Sequence, residues 1–125
     1  VGVEVSNAYS LKYQSWYVKQ GFGERPIIDD AKVHNSTLKP HLGFYKIQEQ
    51  ALAALWEAVS YACKIPLELP DTKNGVDEAC KDNYFRGFCN HYHLTTRKID
   101  CAGLDDQRVL TEAKRLRAKR GGMNE

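Results

Sequence analysis

No apolar run in this chain approaches the roughly 20 residues that a helix needs to cross a bilayer, so a helical membrane span is excluded. No signal-peptide pattern opens it either. Charge of one sign is equally scarce: 18 Lys and Arg against 16 Asp and Glu leave a net charge of +2, too little to argue for nucleic acid by itself. Internal repeats are absent. With 125 residues the chain has room for one domain at most. Cysteine is present but sparse, at Cys63, Cys80, Cys89 and Cys101. Without a secretory pattern these do not read as a disulfide framework, although Cys80 and Cys89 flank an aromatic segment and could pair. Cys63 falls on an inward helix face, where a free thiol behaves as a small hydrophobe.

What is present suffices for a modest core: 42% hydrophobic residues, with two Trp, seven Tyr and four Phe. The basic character is concentrated near the end. Arg108, Lys114, Arg115, Arg117, Lys119 and Arg120 face a single Glu112 between Gln107 and Arg120. Such a tail could contact nucleic acid or an acidic membrane surface, or be a solvated helix end.

Along the chain, "VGVEVSNA" alternates strictly, with Val1, Val3 and Val5 on one face and Glu4 on the other, which predicts a strand. Residues 9 to 19 alternate less cleanly and are rich in aromatics. "GFGERPIIDDAKVHNSTLKPHLG" has no sustained period and predicts a long surface excursion. In "YKIQEQALAALWEAVSYACK", Leu52, Leu55, Trp56, Val59 and Cys63 form one apolar stripe of a helix, ended by the prolines of "IPLELP". "YFRGFCNHYHL" is aromatic and β-prone, predicting a strand that delivers His91 to its end with His91 and His93 on one face. "LDDQRVLTEAKRLRAKR" predicts a closing helix. Strand, long loop, helix, strand, polar loop and helix together predict a mixed α/β or α+β layer fold.

"GFCNHYHLTTRKIDCAGLD" concentrates the chemistry. A His at a strand end and an Asp on the returning loop can converge on one zinc ion, which takes nitrogen, sulfur and carboxylate ligands. His91 with Asp100 is one candidate pair, and His93 with Cys101 is a rival at similar spacing. The plain alternative is that these histidines are partly exposed and bond to backbone. Lys98, two residues before Asp100, could stabilise an oxyanion or be a solvated lysine. Glu4 could serve as a general base or simply face solvent.

Three segments in order, "VGVEVSNA", "LGFYKIQEQALAALWEAV" and "CNHYHLTTRKIDCAGLD", resemble the zinc-dependent N-acetylmuramoyl-L-alanine amidases, the amidase-2 family of phage endolysins and peptidoglycan recognition proteins. The resemblance covers roughly residues 1 to 105, leaving 106 to 125 as a basic C-terminal helix or tail. It implies a mixed central β-sheet flanked by helices, with the N-terminal part missing. It further implies zinc held by His91 and Asp100, with Cys101 as the alternative ligand. His93 would be a substrate-contacting or supporting residue, Glu4 the catalytic carboxylate, and Lys98 the group that polarises the scissile carbonyl. The family's Pro-Gly after the last ligand is replaced here by Cys101, Ala102 and Gly103.

The implied activity is cleavage of the amide between N-acetylmuramic acid and L-alanine in peptidoglycan. The alternative is a non-catalytic peptidoglycan-binding module of the same fold. A phage endolysin of this kind is made in the host cytoplasm and acts on the cell wall. The family's first zinc histidine lies on a strand earlier than the one resembling "VGVEV", and the sequence opens at Val1. The resemblance therefore implies a piece of a longer or cleaved amidase, a site completed by a second chain, or a replacement ligand at His34 or His41.

Overall fold

The computed structural model describes residues 1–124 and combines helices with a few short antiparallel strands. Its frame is a pair of packed helices, α2 (Lys46–Cys63) and α4 (Asp106–Asn124). Before them come a 3₁₀ turn (Leu11–Tyr13), α1 (Gln14–Lys19) and four two-residue strands: β1 (Ile27–Ile28), β2 (Lys32–Val33), β3 (Ser36–Thr37) and β4 (His41–Leu42). Between the long helices lie the short α3 (Glu78–Lys81) and a 3₁₀ turn (His91–His93).

Helix α2 starts where Gln48 Oε1 accepts the Tyr45 amide at 2.9 Å, supplying a partner to a donor the helix cannot satisfy. It stops at Lys64, left-handed at φ 56°, whose successor Ile65 donates back to Ser60 O at 3.1 Å just before Pro66. Helix α4 begins beneath Asp105, whose Oδ1 accepts the Arg108 amide at 3.0 Å. The core lies between the two: Leu52, Ala53 and Trp56 of α2 against Val109, Leu110 and Ala113 of α4. Phe88 stacks on Trp56, with ring centroids 4.7 Å apart.

The buried stripe of α2 is rotated from the one periodicity predicts. Leu52, Ala53, Trp56, Glu57 and Ser60 are inside, whereas Leu55 is 41% exposed and Cys63 is exposed rather than inward. The cause is electrostatic and lies on α4. Arg120 meets Glu57 through Nε at 2.5 Å and Nη2 at 2.8 Å, and Arg117 Nε reaches the same carboxylate at 3.1 Å. Arg117 Nη2 also donates to Ser60 Oγ at 3.0 Å. A carboxylate with this many charge-assisted bonds can be buried, and the face carrying it turns inward. The same contacts account for much of the basic tail: Arg108 pairs with Glu49 at 2.7 Å, and Arg115 with Glu112 at 2.6 Å.

The strands form two separate ladders, β1 with β4 and β2 with β3, instead of one central sheet among the described residues. In the second ladder, His34 and Asn35 both have positive φ (52° and 64°), the conformation of a two-residue hairpin turn whose twist matches its strands. Residues 1–8 form no ladder. Alternation alone cannot make a strand without a partner; the segment is tied at its end, where Asn7 Nδ2 donates to Gln48 Oε1 at 3.1 Å and Ala8 N to the Tyr17 hydroxyl at 3.1 Å, and Val1 is 90% exposed. Residues 9–19 coil instead into the 3₁₀ turn and α1.

The expected strand over "YFRGFCNHYHL" is also absent. Gly87 sits at φ 151°, where an added Cβ would lie 2.5 Å from Glu68 O, and Asn90 then leads into the 3₁₀ turn at His91–His93. The β-prone aromatics serve the helical core instead, as Phe88 on Trp56 shows.

Candidate functional site

The residues from Asn90 to Cys101 form a loop pinned at its base. Tyr92 N donates to Asp100 O at 3.3 Å, and Cys101 N donates to the Asn90 side-chain oxygen at 3.2 Å. Asn90 is held in turn by Asp106 at the start of α4, its Nδ2 lying 2.6 Å from Asp106 Oδ2. That closure brings together two side chains nine residues apart: His91 Nδ1 and Asp100 Oδ2 are 2.5 Å apart. Both remain open to solvent, with side-chain exposures of 60% and 52%.

An imidazole nitrogen and a carboxylate oxygen suit zinc. Two such donors bound at about 2.1 Å in a tetrahedron sit about 3.4 Å apart, so the pair would part by about 1 Å to admit an ion. Exposed side chains can make that adjustment. Among the described residues no group of three or more His, Cys, Asp or Glu gathers as a metal site, so the pair fills two positions of a coordination sphere and no more. Cys101, the alternative to Asp100, lies half-buried in a cleft that Asp100 lines and His91 does not, and burial pushes its thiol up to about 11.

His93 does not share a face with His91. In the 3₁₀ turn it points inward and is 2% exposed. Its Nδ1 accepts the Asn90 amide at 2.9 Å, and its Nε2 donates to Thr72 O at 2.8 Å. Neither ring nitrogen is left for a ligand. The segment 72–77 is held from the other side as well, by Asp77 N to His93 O at 2.9 Å. Burial lowers the His93 pKa below its ordinary value. The histidine thus braces the loop that carries His91.

Glu4 and Lys98 are exposed. Glu4 precedes Val5, which lines the same cleft as Asp100. The Lys98 carbonyl accepts from His34 Nε2 at 2.9 Å, so His34 clamps the β2–β3 turn to the loop rather than joining the His91–Asp100 pair. His41 is buried on β4, in the cleft lined by Asp100 and Cys101. A wider groove of about 940 Å³ between α2 and the start of α4 includes none of Glu4, His91, His93, Lys98 or Asp100. Cys80 and Cys89 are free thiols, with Cys80 pushed up to about 12 chiefly by burial.

Two groups of interest carry no signal in the sequence. Asp106 reads as an ordinary first-turn helix residue. In the structure its carboxylate takes Asn90 Nδ2 and the Tyr92 hydroxyl (3.3 Å), and burial raises its pKa to about 6. Arg25 sits in a stretch that reads as surface loop, yet it is 2% exposed. No protein-family model, curated protein or solved structure matches this chain.

Proposed function

We propose that this chain belongs to a zinc-dependent peptidoglycan hydrolase that cleaves the amide between N-acetylmuramic acid and L-alanine. The observation that carries the reading is the convergence of His91 and Asp100, two zinc-type donors nine residues apart, exposed at the mouth of one pinned loop. It agrees with the motif order set out above. In this reading the partner is the cell wall.

His91 and Asp100 would hold two positions of the ion, with a further ligand from beyond the pair. Bound zinc supplies Lewis-acid chemistry that lowers the pKa of water and polarises a carbonyl. The chain's own residues do the rest. Asn90 and Tyr92 hold the loop so that the donor pair keeps its orientation, the supporting role that partners of metal ligands play. Glu4 accepts the proton of the attacking water, and Lys98 offers a cation to the oxygen that gains charge.

The test is zinc stoichiometry together with the appearance of new L-alanine amino termini in purified sacculi. With the segment that supplies the further ligand present, the protein is expected to bind zinc and release amino termini, while His91→Ala and Asp100→Ala lose both. Binding to sacculi with bound zinc but without cleavage would identify a recognition module instead. A protein so completed that still holds no zinc sinks the hydrolase reading.

A further inference from the structure

Arg25 is buried as an unpaired cation. Its Nε donates to Gly43 O at 2.8 Å, and its guanidinium lies 4.6 Å from the centroid of the Tyr17 ring. Nη1 is buried without a hydrogen-bond partner, and none of the ion pairs among the described residues involves Arg25. Burying a charge without a counter-ion is strongly unfavourable unless something else meets it. Burial also lowers the Arg25 pKa from its ordinary value, as expected of a guanidinium lacking a carboxylate.

His41 repeats the pattern from another element. It is 2% exposed, its Nδ1 donates to Lys39 O at 3.0 Å, and its ring stacks on Tyr9 at 4.5 Å. Its Nε2 is likewise buried without a partner. Both residues line one cleft of about 150 Å³ beneath segment 5–9, space for about five waters at liquid density. The remaining walls are largely apolar, including Val5, Phe44 and Ile99. Asp100 also lines the cleft, but its carboxylate is bonded to His91, which does not.

We propose that this cleft binds a small carboxylate group through Arg25 and His41. One carboxylate oxygen accepts from Arg25 Nη1, and the other accepts from His41 Nε2, the ring taking up one proton from solvent on binding because its Nδ1 proton is already given to Lys39 O; both orphaned atoms are then satisfied at once. A cation is disfavoured by the fixed charge of Arg25. A phosphate would bring more oxygens than the two orphaned groups can meet, and would leave the excess against apolar walls. The inference stands apart from the hydrolase reading, because neither residue belongs to the His91–Asp100 pair.

The test titrates the full chain with sodium acetate at constant ionic strength, with acetamide and chloride as controls, and follows the His41 imidazole nitrogen resonances. A saturable shift with acetate alone is expected. The affinity should fall at least about tenfold in Arg25→Gln, the scale of one lost charged hydrogen bond. Should Arg25→Gln fail to fold, His41→Gln decides: acetate should raise the melting temperature of the parent beyond the chloride control, and should not do so for that variant. An absent shift, an equal response to acetamide, undiminished binding in Arg25→Gln, an undiminished acetate effect on the melting of His41→Gln, or tighter binding of inorganic phosphate than of acetate would each overturn the proposal.

Discussion

Replacing His93 with alanine separates a brace from a ligand. The ring is 2% exposed and carries two hydrogen bonds, to Asn90 N at 2.9 Å and Thr72 O at 2.8 Å. Each is worth about 1 kcal/mol, and leaving the part-buried Asn90 amide unpaired adds to the loss. The void left by the imidazole adds about 1 kcal/mol more. The sum is about 3 kcal/mol, which for a chain of 125 residues lowers the melting temperature by roughly 10 °C. Urea and thermal denaturation followed by circular dichroism measure it, alongside the zinc content of the folded fraction. Stability should fall while metal per folded molecule stays constant. Burial also keeps His93 neutral, with a pKa below the ordinary 6.5. Its stabilising contribution is therefore present above pH 6.5 and is lost as pH falls below it, because the unfolded chain then takes up the proton first. His93→Ala should lose that part of the acid sensitivity. A variant as stable as the parent but depleted of metal would refute the reasoning and return His93 to the site.

Glu57→Gln, which takes the shared carboxylate from Arg117 and Arg120, should cost about 3 kcal/mol, at the low end for a broken buried pair because both arginines are partly exposed; an unchanged denaturation midpoint would contradict the packing described. The Arg120 bond holds the Glu57 carboxyl down to about 2 from 4.5, so its contribution is complete above pH 4.5 and fades as pH falls toward 2. Asp106 runs the other way. With its pKa raised from 3.8 to about 6, stability declines as pH rises through that window, and Asp106→Asn should flatten the decline in a pH series of urea midpoints. Under the hydrolase reading, Glu4→Gln should leave zinc content intact and lower turnover at least about a hundredfold; near-normal release of amino termini would remove Glu4 from the mechanism.

The two long helices were legible in the sequence because a helix is specified locally. The apolar spacing from Leu52 to Val59, Pro66 beyond, and Asp105 ahead of a regular run suffice to place α2 and the start of α4 within a residue or two, although α4 runs on to Asn124, four residues past the run read from the sequence. The meeting of His91 with Asp100 was legible for a similar reason, since a short loop returns near its own start. What the sequence could not decide depended on partners distant along the chain. Glu57 faces inward only because Arg117 and Arg120, about 60 residues later, neutralise it there. His93 turns inside because Thr72 O and Asn90 N wait for its ring, although His91 two residues earlier stays in solvent. "VGVEV" alternates as a strand does, yet whether it joins a ladder depends on what lies beside it. Arg25, unremarkable in a loop-like stretch, and His41, read there only as a replacement ligand, become a pair of unmet buried groups only when the turn at Asp100–Cys101 and segment 5–9 close around them. Tertiary packing alone determines which polar atoms lose water, and at these positions that loss sets the chemistry.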